Sequence, residues 1–207
     1  MLRLAWGIAK ILLGITSIVA VFVQLISDTA RADFSIINFF SYFTFECSIL
    51  ASITLIIFAI CNLKDVTSRI IDLIRGAVVV YMIITGIVYW LLLANIPDTT
   101  GTSVFWVIRF LHYVLPTALV VDWFLCPPSK GLRYGDAFYW LVFPLLYIGY
   151  SITRGLVLDW YPYSFLDPST TSITGIVQYI LVIGAGVVVL SLITIQISRI
   201  RNKDDNW

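Results

Sequence analysis

Long apolar stretches alternate with short polar ones along this chain, and the apolar stretches have the length of membrane spans. A spanning helix needs about 20 mostly apolar residues. Six such runs are present: Leu4 to Ile26, Phe39 to Asn62, Leu73 to Ala94, Val104 to Leu125, Ala137 to Leu158 and Ile173 to Ile197. Connectors such as "NLKDVTSRII" and "CPPSKGLRYGD" are short and polar and leave no room for a soluble domain. The pattern predicts an all-α polytopic membrane protein, a bundle of six transmembrane helices forming one domain over residues 1–207. The first run exceeds a signal-peptide core and lacks a clear small-x-small cleavage site, so it is expected to persist as a helix.

The flanking charges orient the bundle. Lys and Arg beside the spans stay on the cytoplasmic side. Arg3, Lys10, Lys64, Arg69, Arg75, Lys130, Arg133, Arg199, Arg201 and Lys203 fall on one side, and only Arg31 falls on the other. Both termini are therefore expected in the cytoplasm, with Trp90, Trp106, Trp160, Tyr161 and Tyr163 forming an aromatic belt at the opposite interface. Composition agrees: 60% of the 207 residues are hydrophobic and 12% charged, and mean hydropathy is +0.96. A net charge of +1 gives no field to attract nucleic acid. Cys47, Cys61 and Cys126 lack metal-ligand spacing, so no metal, cofactor or disulfide framework is expected. The "GAG" at Gly184 to Gly186 permits close helix contact, but oligomeric state is not legible here.

Five ionisable residues lie where lipid should be: Glu46, Arg109, His112, Asp122 and Arg154. An intramembrane charge is costly and usually functional. Asp122 lies near the inner end of the fourth span, where snorkelling to the interface is the simpler reading. The others, with Thr44, gather in the outer half. At about 1.5 Å of rise per residue, Thr44 and Arg109 lie roughly 8 Å deep, His112 roughly 12 Å and Arg154 roughly 6 Å. In "RFLHYVLP", Arg109 and His112 are three apart, hence on one helical face. Pro116 cannot donate to the His112 carbonyl, which predicts a kink and a small polar cavity. Pro144 frees the Trp140 carbonyl in the same way.

Each polar group also has a purely structural reading. His112 can bond between helices, and the Thr44 hydroxyl can bond back to the Phe40 carbonyl. Together they suggest more. A threonine hydroxyl beside a neutral imidazole has the makings of a nucleophile and its general base, which gives an acyl-enzyme route to ester cleavage. Arg109, Arg154, Ser48 or a tyrosine hydroxyl are candidate oxyanion donors, and an arginine can also pair with a carboxylate. Glu46 could orient the imidazole only if packing brought it round, since it faces nearly opposite to Thr44.

The stretches "FFSYFT", "LHYVLP", "DW" followed by "PP", and "RG" followed by "WYPYSFLDP" resemble, in order and over essentially the whole chain, the bacterial six-span branch related to the androgen-induced and androgen-dependent membrane hydrolases. The resemblance implies an intramembrane threonine hydrolase of fatty acid esters of hydroxy fatty acids in the bacterial plasma membrane, with Thr44 as nucleophile and His112 as its partner. Glu46, Cys47 and Ser48 stand where that branch carries Gln, Ser and Asn, so substrate range is expected to differ here. The expected partner is a membrane lipid or fatty-acid ester, and no cofactor is implied. The rival reading is a non-catalytic protein that binds a lipid or fatty-acid carboxylate in an outer-leaflet polar cavity. A transporter is disfavoured, because no inverted repeat or midplane site is present.

Overall fold

The computed structural model describes residues 2–94, 103–128 and 131–204. The elements are α1 (Leu2–Asp28), α2 (Ile36–Phe40), α3 (Phe43–Leu63), α4 (Arg69–Val88), α5 (Phe105–Arg109), α6 (Leu115–Leu125), α7 (Ala137–Leu158) and α8 (Ile173–Asp204), and no strand occurs among the described residues. Two π-helical turns interrupt this order, Tyr89–Leu93 after α4 and Phe110–Val114 between α5 and α6. Six helical stretches are long and apolar enough to cross a membrane, the fourth being α5, the π turn and α6 together. The chain is therefore a multi-pass α-helical membrane protein. Lys130, one of the orienting charges, lies outside the described residues.

Successive spans run antiparallel. At the basic end Trp6 Nε1 donates to Asp122 at 3.1 Å and Arg69 pairs with Asp136 at 2.8 Å. At the other end Gln24 Oε1 accepts from the main-chain N–H groups of Ser103 and Val104 at 3.1 and 3.0 Å. Gln24 thus caps the helix that carries His112. The third span is the most buried of the six, with α3, α6 and α8 packed around α4. Small residues let α1 and α3 approach closely: a Cβ at Gly14 would lie 3.0 Å from the Ser52 carbonyl, and Ser17 Oγ donates to the Ser48 carbonyl at 3.3 Å.

The structure changes two expectations about the spans and gives the partner of a freed carbonyl. The second begins at Phe43, because Ser41 and Tyr42 break the helix: Ser41 Oγ donates to Ile37 O at 2.6 Å, Tyr147 Oη donates to Ser41 O at 3.0 Å, and Tyr42 is extended at φ −80°, ψ 126°. The turn before Pro116 is π-helical, so the proline sits in the first turn of a new α segment, where its missing N–H is tolerated. The carbonyl freed by Pro144 accepts from Tyr81 Oη at 2.8 Å across the bundle. Tyr81→Phe leaves that buried carbonyl unpaired and is expected to cost about 1–3 kcal/mol, read as a lower midpoint of thermal unfolding in detergent.

Asp122 does not snorkel, and Lys10 and Arg75 are not interfacial flanks. All three are buried with Asp72. Lys10 Nζ lies 2.9 Å from Asp122 Oδ1, Arg75 Nη2 3.1 Å from Asp122 Oδ2, and Arg75 Nη1 3.4 Å from Asp72 Oδ1. Arg75 also donates to the Cys126 carbonyl at 2.9 Å and lies 3.4 Å from the centre of the Phe58 ring. Two cations and two carboxylates neutralise one another, so charge is tolerated inside the bundle because it is paired and hydrogen-bonded.

Candidate active site

Thr44 is the second residue of α3. The break at Ser41 and Tyr42 removes the carbonyl to which its hydroxyl would bond back, and Thr44 Oγ1 instead lies 3.3 Å from His112 Nε2. Both residues are buried, 3% and 2% exposed, so no bulk water competes for this contact. The other ring nitrogen, Nδ1, lies 3.0 Å from the Ile108 carbonyl. A carbonyl only accepts, so that bond fixes the proton on Nδ1 and leaves the Nε2 lone pair facing the threonine hydroxyl. Glu46, considered for this orienting role, is half-buried, and the ring nitrogens meet Thr44 and the Ile108 carbonyl instead.

The π turns hold the imidazole. Tyr89, first residue of one, stacks on His112, third residue of the other, with ring centres 4.0 Å apart and planes 23° from parallel. One turn below, Gly86 lets α4 touch this helix: a Cβ there would lie 2.8 Å from the His112 carbonyl oxygen. Such turns are rare and concentrate at functional positions.

Two tyrosines complete the surroundings. Tyr163, expected in the interfacial belt, is 6% exposed and lines the same cavity as Thr44. Burial pushes its phenol well above the usual pKa, so it is a neutral O–H at physiological pH. Tyr147 Oη donates to the Ser41 carbonyl at 3.0 Å. The WYPYSFLDP loop is placed by Gly155, whose missing side chain leaves room for the Tyr161 ring, and by Asp159 in the left-handed region at φ 52°.

Beside Thr44 lies a cavity of about 70 Å³ between α3, α4, α7 and α8, closed by the Tyr163 to Leu166 segment. Apart from Thr44, Thr85 and the two phenols it is lined by apolar side chains, including Ile84, Ile148 and Val187. The other expected site residues lie outside it. Ser48 Oγ is buried in the bundle without a hydrogen-bond partner among the described residues. Arg154 Nη2 donates to Asn38 Oδ1 at 2.6 Å and its guanidinium covers Trp160 at 4.4 Å, under the loops of the non-basic end. Arg109 is exposed against Phe105 at 4.3 Å, whereas His112 points inward. The π turn begins between them and turns less per residue than an α-helix, so three positions no longer share a face. No group of three or more metal-ligating side chains occurs among the described residues.

No family model, curated protein or solved structure matches the chain.

Proposed function

We propose that this protein is an intramembrane hydrolase of lipid esters, belonging with the androgen-induced and androgen-dependent hydrolases that its motifs resemble, with fatty acid esters of hydroxy fatty acids or similar acyl esters as substrates. The 3.3 Å contact between Thr44 Oγ1 and His112 Nε2 carries the proposal, because it joins nucleophile and base at hydrogen-bond reach. His112 Nε2 takes the hydroxyl proton as Oγ1 attacks the ester carbonyl carbon. The tetrahedral oxyanion meets the first-turn N–H of Thr44 and the Tyr163 hydroxyl, at the positive end of the α3 dipole. Collapse breaks the bond to the alcohol oxygen, which leaves with the proton from Nε2. Water, deprotonated by the same nitrogen, then cleaves the acyl-threonine and releases the acid.

The rival carboxylate-binding reading needs an arginine in the cavity, and Arg109 and Arg154 lie elsewhere. A fluorophosphonate probe, which reacts with activated hydroxyls, is expected to form an adduct on Thr44 that peptide mapping locates. Labelling that persists unchanged in both Thr44→Ala and His112→Ala would end the proposal.

A further inference from the structure

Arg109 has no place in the cavity beside Thr44, and it makes no ion pair among the described residues. It stands instead at the head of a surface groove. One segment of the groove, about 550 Å³, runs between Arg109, Tyr89 and Tyr113. The next, about 410 Å³, continues past Tyr113 over Gly86 and Trp90 to Thr117 and Val120. Tyr113 lines both, so the two segments adjoin at its ring. The opposed π turns and the missing side chain at Gly86 lie along it. From Arg109 to Val120 is about 16 Å along the helix axis, against a half-bilayer of about 15 Å.

Length and charge together select an occupant. A groove one leaflet deep, apolar along its floor and open to the bilayer, fits the acyl chain of a membrane lipid. An unpaired guanidinium at the headgroup end complements an anion, and a planar two-pronged donor suits phosphate oxygens. Trp90 and Tyr113, both exposed at the groove, are the amphipathic rings typical of the headgroup level. We propose that this groove is a binding site for an anionic phospholipid, its phosphate on Arg109 and one acyl chain along Tyr113 and Gly86 to Val120. The groove passes His112 on the face turned away from Thr44 and does not include Thr44 or the cavity beside it, and the assignment does not depend on the hydrolase reading.

The test is thermal unfolding of the full chain in phosphatidylcholine nanodiscs, alone or with added phosphatidylglycerol or oleate. Phosphatidylglycerol is expected to raise the midpoint by about 2–4 °C, the scale of one basic residue meeting an anionic lipid surface. Arg109→Gln should melt like the wild type in phosphatidylcholine but lose this rise, and Arg109→Lys should keep part of it. Thr117→Trp, which fills the groove from an exposed position, should lose it too. An equal rise with oleate, a rise that survives Arg109→Gln, or one untouched by Thr117→Trp would overturn the proposal.

Discussion

Replacing His112 with alanine is expected to lower ester hydrolysis by about 10²- to 10⁴-fold, the usual contribution of a positioned general base. The hydroxyl of Thr44 stays in place in this variant, but nothing at 3.3 Å remains to take its proton. Thr44→Ala removes the nucleophile, so no covalent adduct can form, whereas Thr44→Ser keeps the hydroxyl and is expected to retain labelling. The measurements are hydrolysis of a fluorogenic acyl ester and probe labelling, with thermal unfolding as a check on folding. Because His112 is stacked on Tyr89, His112→Gln, closer in volume, separates loss of the base from loss of packing. If His112→Gln unfolds at the wild-type midpoint and still hydrolyses at the wild-type rate, His112 is a structural residue and not the base. The group that orients the ring is a main-chain carbonyl, so no side-chain substitution can delete it. Nitrogen chemical shifts of the imidazole are expected to report a proton on Nδ1.

The largest effect on stability is expected at Asp122. Its two carboxylate oxygens face Lys10 and Arg75, which are 3% and 4% exposed. Asp122→Ala leaves both cations facing a cavity with only Asp72 to balance them, and removing one partner of a buried pair typically costs about 3–5 kcal/mol. The expected readout is a sharp fall in the unfolding midpoint or in yield from the membrane. Replacing Lys10, Arg75, Asp72 and Asp122 together by Met or Leu should recover most of the loss, since apolar replacements of buried ion clusters are often neutral or stabilising. If Asp122→Ala were as stable as the wild type, the cluster would contribute nothing to holding α1, α4 and α6 together.

The spans were legible because length and hydropathy alone decide whether a helix can cross a membrane; all six runs begin and end within about four residues of the observed spans. The second started late for a reason hydropathy does not register: Ser41 and Tyr42 sit in an apolar context, and the bonds that break the helix there come from Ile37 and from Tyr147, far along the chain. The pairing of Thr44 with His112 was reachable from depth, since both were carried to one layer. Arg109 was misplaced on their face because sequence spacing assumes α geometry, and nothing in "RFLHYV" announces a π turn. Asp122 read as interfacial because depth along one helix does not reveal what neighbouring helices present, and Lys10 and Arg75 come from two others. Tyr163 read as belt because interfacial tyrosines and tyrosines folded back over a helix end have the same sequence context.

The π turn at Phe110–Val114 amounts to one residue too many for an α-helix. Upstream and downstream halves of the fourth span are thereby rotated against each other by about 100°, the angle of one helical step. His112 within the turn and Asp122 beyond it are both buried. Deleting a single residue between Phe110 and Val114 would preserve every hydrophobic average along the span while swinging one half of it out of phase. The span's fitness for its place thus depends on a count of residues that its composition does not record.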